Sequence, residues 1–196
     1  MRKVLLVISI SILLLCYVLT KGESTSNNYF FSNDVEQVNY QGKFLFASYN
    51  EQDIILFVNE VVKHKEGILY QLKLNTDEVL NEERLIIGYF YITKDCIYKI
   101  NPTEENLNQV NKKAEIPADS VIVCQETAVK DSVAETEKGF HSYITVNDNK
   151  CVYHSYNNGT ETGYYETFVW EKNKGLVHYK SGYGAELNSI ELNIIE

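Results

Sequence analysis

FHSYITVNDNKCVYHSYNNGTETGYYETFVWEKNKGLVHYK, residues 140–180, decides the fold. Phe140 to Val146 and Lys150 to Tyr156 are rich in β-branched and aromatic residues and flank Asn147-Asp148-Asn149, a turn-forming run. Asn157 to Gly163 is a second turn-rich loop, after which Tyr164 to Glu171 and Leu176 to Lys180 flank Lys172-Asn173-Lys174-Gly175. Turns recurring every ~8–12 residues between such runs predict an antiparallel meander. With a tight turn Lys172 pairs with Gly175, which sets Phe168 across from Tyr179 and Trp170 across from Val177. Glu166, Phe168 and Trp170 then share one face of their strand, and Tyr165, Thr167 and Val169 the other.

The same signals continue upstream. Lys43 to Tyr49 is a first strand run. Asp53 to Val62 and Ile68 to Leu74 form a hairpin around Lys63 to Gly67, and Leu85 to Thr93 and Cys96 to Ile100 form another around Thr93-Lys94-Asp95. Asn75 to Arg84 is polar, with room for one or two helical turns. One clear helix follows: Asn101 caps it, Pro102 takes the first helical position and Glu104 completes a capping box. Leu107, Val110 and Ala114 give it a narrow apolar stripe, while Lys112 and Lys113 complement its C-terminal dipole. Val121 to Cys124 reads as a short buried strand, Glu126 to Gly139 as a mobile loop, and Asn188 to Ile195 as the last strand. The hairpins at 88–99 and 163–180 resemble each other loosely, either as a duplication or by shared hairpin chemistry. The expected class is α+β, mainly β: an antiparallel β-meander or curved sheet of seven to ten strands with one short packed helix.

The chain has 196 residues and a net charge of −9. Met1-Arg2-Lys3 followed by an apolar run from Val4 to Leu19 reads as a signal peptide over residues 1–22, too short for a typical membrane-spanning helix. Cys16 opens two other fates, a lipid anchor or a retained N-terminal anchor. Leu15 before it departs from the small residue that a bacterial lipobox carries. Residues 23–39 read as a tether and 40–196 as a single β-rich domain. Loss of Arg2, Lys3 and Lys21 leaves 15 basic against 27 acidic residues, or −12. That balance argues against a nucleic-acid partner, and the many Tyr, Phe, Ile and Val residues exclude wholesale disorder. Any membrane contact is expected only through the N-terminal segment.

Candidate chemistry is sparse, and no cofactor or metal is expected. Cys96, Cys124 and Cys151 lie 28 and 27 residues apart, without a C-x-x-C motif. They read as small buried hydrophobes, as a Cys124–Cys151 pair if export allows one disulfide, or as the home of a reactive nucleophile. If Val146 pairs with Asn149, His141 falls opposite His154, and a one-residue change puts Ser155 there instead. A metal would also need a carboxylate such as Glu166. No G-x-S-x-G elbow is present, and Ser181 to Ala185 is a Gly-rich turn without a following helix, hence no phosphate loop. The 15 Tyr exceed what a core of this size readily hides. Tyr164, Tyr165, Trp170, His178 and Tyr179 therefore stand as candidate ligand-binding residues on an aromatic platform, against the alternative that the same rings form core cross-strand pairs.

The segment Phe168-Val169-Trp170-Glu171-Lys172-Asn173-Lys174-Gly175-Leu176-Val177-His178-Tyr179 resembles a hairpin near the C-terminus of exported bacterial β-sheet proteins and lipoproteins. The resemblance covers about a dozen residues and implies a curved antiparallel sheet and export, with no catalytic residues. Together these readings favour an exported, extracytoplasmic, non-enzymatic module at the cell surface that binds protein or cell-wall glycan. An exported hydrolase using the C-terminal histidines and an acidic inhibitor of a basic secreted enzyme are the alternatives.

Overall fold

A computed structural model of the chain describes residues 26–46, 48–75, 85–134, 136–184 and 188–195. The leader with Cys16 and nearly all of the expected helical turns at 75–84 lie outside the described residues. The elements are β1 (Gln37–Phe46), β2 (Ser48–Lys63), β3 (Ile68–Asn75), β4 (Ile86–Ile92), β5 (Cys96–Ile100), α1 (Glu104–Lys113), β6 (Val121–Gln125), β7 (Phe140–Asn147), β8 (Lys150–Asn157), β9 (Tyr164–Glu171), β10 (Gly175–Tyr183) and β11 (Asn188–Ile194). Among the described residues eleven strands, against an expected seven to ten, make one sheet in the order β6-β5-β4-β3-β2-β1-β11-β10-β9-β8-β7. Every neighbouring pair is antiparallel.

That order is a meander curled until its ends meet, a nearly closed barrel. Eleven strands that each reverse their neighbour leave the two edges, β6 and β7, running in the same direction. A ring of antiparallel pairs cannot close on an odd count. The segment after β6, expected as a mobile loop, supplies the missing strand direction for a single residue. Val129 and Ile144 exchange two backbone hydrogen bonds of 2.9 Å in an antiparallel bridge. The seam is therefore bridged at one residue near the middle of β7, which interrupts the unpaired edge that would otherwise template aggregation.

Alternation along the strands fills the lumen. Phe44, Leu56, Leu72, Phe90, Phe168, Trp170 and Leu192 are all buried there. Helix α1 packs on the outside, setting Val110 and Leu107 against Leu69, Tyr91 and Ile100 of β3 to β5. Its cap is Thr103, whose hydroxyl accepts from the Asn106 N–H, two residues later than the expected Asn101 cap. Asn101 instead donates to Asp119. Ala114, expected on the apolar stripe, ends the helix in the left-handed conformation.

Residues 27–31 behave differently from a tether. Tyr29, Phe30 and Phe31 are buried in the barrel, with the Phe30 ring 4.7 Å from Tyr70 and 5.9 Å from Trp170. Asn27 anchors this plug by donating to the Thr93 carbonyl in the β4–β5 turn. Asn28 accepts from the Asn173 N–H in the β9–β10 turn. Gly175 has φ +89°, and a Cβ there would collide with the Phe31 ring. One end of the barrel is thus stoppered by the aromatic trio.

Two registers differ from expectation. Glu171, not Lys172, faces Gly175, so Trp170 faces Leu176 rather than Val177. A bulge at Val177 absorbs the offset and restores Phe168 opposite Tyr179. In the β7–β8 hairpin, Val146 faces Cys151 and the turn is the two residues Asp148-Asn149, so His141 faces Tyr156 and His154 faces Tyr143. The two histidines are not cross-strand partners.

Candidate functional site

The end opposite the plug is hollow. A cavity of about 550 Å³ lies there, lined by Ile86, Ile87 and Gly88 of β4, Lys99 and Ile100 of β5, Pro102, Tyr164 and Glu166 of β9, and Tyr179 of β10, with Tyr89 at the rim. A second pocket of about 290 Å³ shares Lys99, Tyr164 and Glu166 and reaches the surface between Val121 of β6 and Phe140 of β7. These strands are not hydrogen-bonded to each other, and Phe140 is 56% exposed.

Where the two hollows meet stands an ion pair. Lys99 Nζ lies 2.6 Å from both Glu166 oxygens. The strands that carry them, β5 and β9, are not neighbours, so the pair spans the lumen. Glu166 Oε1 also accepts from the Tyr164 hydroxyl at 3.0 Å and the Tyr179 hydroxyl at 3.2 Å. The Lys99 ammonium sits 5.3 Å from the Phe168 ring centroid. Its stem passes Gly88, where a Cβ would lie 3.6 Å from Lys99 Cε and 3.0 Å from the Phe90 ring. The Lys99 side chain is 26% exposed towards the hollow and that of Glu166 only 6%. Burial and the Glu166 charge both push the Tyr164 and Tyr179 hydroxyls up, so they remain protonated donors.

The expected binding residues do not form one surface. Tyr164 and Tyr179 line the cavity. Trp170 is fully buried deeper in the lumen, between Phe30 and Phe90. Tyr165 and His178 alternate with lumen residues and face outward; His178 Nδ1 lies 2.9 Å from Asn193 Oδ1. Among the described tyrosines only Tyr49 is more than half exposed. None of the three C-terminal histidines lines the cavities above. His141 is buried on the outer wall, stacked on Tyr156, with Nδ1 2.6 Å from Asp131 and Nε2 3.0 Å from the Glu137 carbonyl. Among the described residues no three His, Cys, Asp or Glu side chains converge on a point. Cys124 and Cys151 are brought side by side across the seam as free thiols, and burial pushes the Cys124 thiol up.

Lys99 was not singled out in the sequence, and Glu166 only as a conditional metal partner. The available signal was one basic and one acidic residue, each at an inward position of an apolar strand run. Comparison with protein-family models, curated proteins and solved structures returned no match, so the reading of the site rests on its own geometry.

Proposed function

We propose that the protein is an exported, non-enzymatic binding module whose barrel takes up a small, largely apolar molecule at its open end. The observation that carries this reading is the Lys99–Glu166 pair at the base of the cavity. An ion pair drawn out of water into a lumen of rings and isoleucines is not the most stable way to fill that space. Apolar side chains of similar volume would serve the fold as well or better. Apolar walls with a few convergent polar groups at the base are the usual form of a small-molecule site, and the volume lies in the usual range. The carboxylate is held by four contacts, three on Oε1 and one on Oε2, which fix its position at the base of the cavity. Export is supported by the basic start and apolar run of residues 1–22. An aromatic platform for protein or glycan has less support, because Tyr164, Trp170 and Tyr179 turn inward and leave only Tyr165 and His178 of the candidate rings on the outer face.

The test uses the chain's single Trp. Trp170 lies in the lumen, so the apolar fluorophore N-phenyl-1-naphthylamine, bound in the cavity, accepts its excitation energy. Saturable quenching of Trp170 is expected, weakened at least about tenfold by Ile86→Asp, which places a charge in the cavity wall. Absent quenching, or equal binding by the variant, would contradict the reading.

A further inference from the structure

Resting on that reading, we propose that the cavity selects an uncharged ligand: an apolar body bearing one neutral oxygen acceptor, such as an alcohol, ketone or ester, received by the Lys99 ammonium. The polar base has few hydrogen-bonding positions left to offer. Lys99 carries three N–H donors, and two are spent on the Glu166 oxygens. The third belongs to a side chain that is one-quarter exposed and lines both hollows. Glu166 Oε1 takes three contacts, from Lys99, Tyr164 and Tyr179, and Oε2 takes one from Lys99; with its side chain 6% exposed against 26% for Lys99, Glu166 turns little of its remaining acceptor capacity towards a ligand. The site therefore presents a donor.

Charge decides the rest. The pair neutralises itself. A ligand carboxylate reaching Lys99 would lie beside the Glu166 carboxylate, inside a chain of net charge −9, and like charges at such range in a lumen repel strongly. A ligand ammonium reaching Glu166 would meet Lys99 in the same way. A neutral oxygen meets neither penalty and gains a charge-assisted hydrogen bond. The walls beyond the pair (Ile86, Ile87 and Pro102) suit an apolar body.

The experiment displaces N-phenyl-1-naphthylamine with decan-1-ol, decanoate and decylamine, which share a chain and differ in head group. The alcohol is expected to displace the probe at a concentration about tenfold or more below either charged analogue. Lys99→Met should weaken the alcohol about fivefold while the probe still binds. The paired replacement Lys99→Met/Glu166→Gln, which strands no buried charge, repeats the comparison if the single variant does not fold. Equal or better displacement by decanoate or decylamine would overturn the head-group assignment and leave the cavity reading standing, as would an alcohol insensitive to loss of Lys99. A probe that never binds would overturn both.

Discussion

Breaking the lumen ion pair should cost far more from one side than from both. Lys99→Met leaves the Glu166 carboxylate, whose side chain is 6% exposed, with only two tyrosyl donors. Stripping one partner from a buried pair costs about 3–5 kcal/mol. The remaining hydroxyl donors and the partial exposure of Lys99 place this case at the low end, about 3 kcal/mol. For a domain of this size that corresponds to about 6–12 °C in Tm. Glu166→Gln should cost less, about 1–2 kcal/mol, because the Lys99 side chain is already 26% exposed and can turn further outward. The double variant should fall within about 1 kcal/mol of the parent, since a neutral pair replaces a charged one and nothing is left stranded. Urea denaturation followed through Trp170 emission closes the cycle. The single costs sum to about 4–5 kcal/mol, so the prediction is a coupling of at least about 3 kcal/mol between the two sites. Single costs that simply add in the double variant would refute the claim that the two charges depend on one another.

Other outcomes follow from the packing. Phe30→Ala removes a buried ring from the plug and should lower stability by about 3–5 kcal/mol in the same denaturation assay; a loss below about 1 kcal/mol would mean that residues 27–31 do not close the barrel. Gly175→Ala meets both a left-handed backbone and the Phe31 ring, so its thermal midpoint should drop by more than the few degrees of an ordinary surface change. Burial pulls His141 down, but hydrogen bonds to Asp131 and to the Glu137 carbonyl outweigh it and hold the imidazole above its ordinary value. Its contribution is then full below an unfolded value of about 6.5 and is lost as pH rises through the raised folded value. The stability gap between the parent and His141→Asn should shrink as pH rises above about 6.5, and a gap that widens would contradict the pairing. Oxidised glutathione should link Cys124 to Cys151 by thiol–disulfide exchange, which peptide mapping would detect; a pair that stays reduced would show that burial keeps the oxidant out.

Most strand positions were legible because the cue is local. Cys96 to Ile100 and Tyr164 to Glu171 are bounded by turn residues and carry β-branched or aromatic side chains, and both are strands over those spans. Closure was not legible. It depends on the count of reversals around the ring and on Val129 meeting Ile144, a contact no local pattern announces. The plug was hidden for a related reason: Tyr29-Phe30-Phe31 sits among polar residues, and only the space left by Gly175 and the turns around it makes it core. Register failed by one residue where a bulge at Val177 intervened, and the histidine pairing failed with the length of one turn. Within the site, the tyrosines drew attention by number, yet the charges that organise them lie 67 residues apart. Strand alternation placed Glu166 on the same face as Phe168 and Trp170, and that face is the lumen. Which cation would meet it there is a property of the closed barrel alone.

The central claim is that the hollow over Lys99 and Glu166 is a ligand site. It is tested most directly by amide chemical-shift mapping during a titration with decan-1-ol. The account predicts that the largest shifts fall on Ile87, Gly88, Lys99, Tyr164, Glu166 and Tyr179, with little change around Phe30 at the plugged end. Shifts confined to the outer wall near His141 and His178, or none at all, would contradict it.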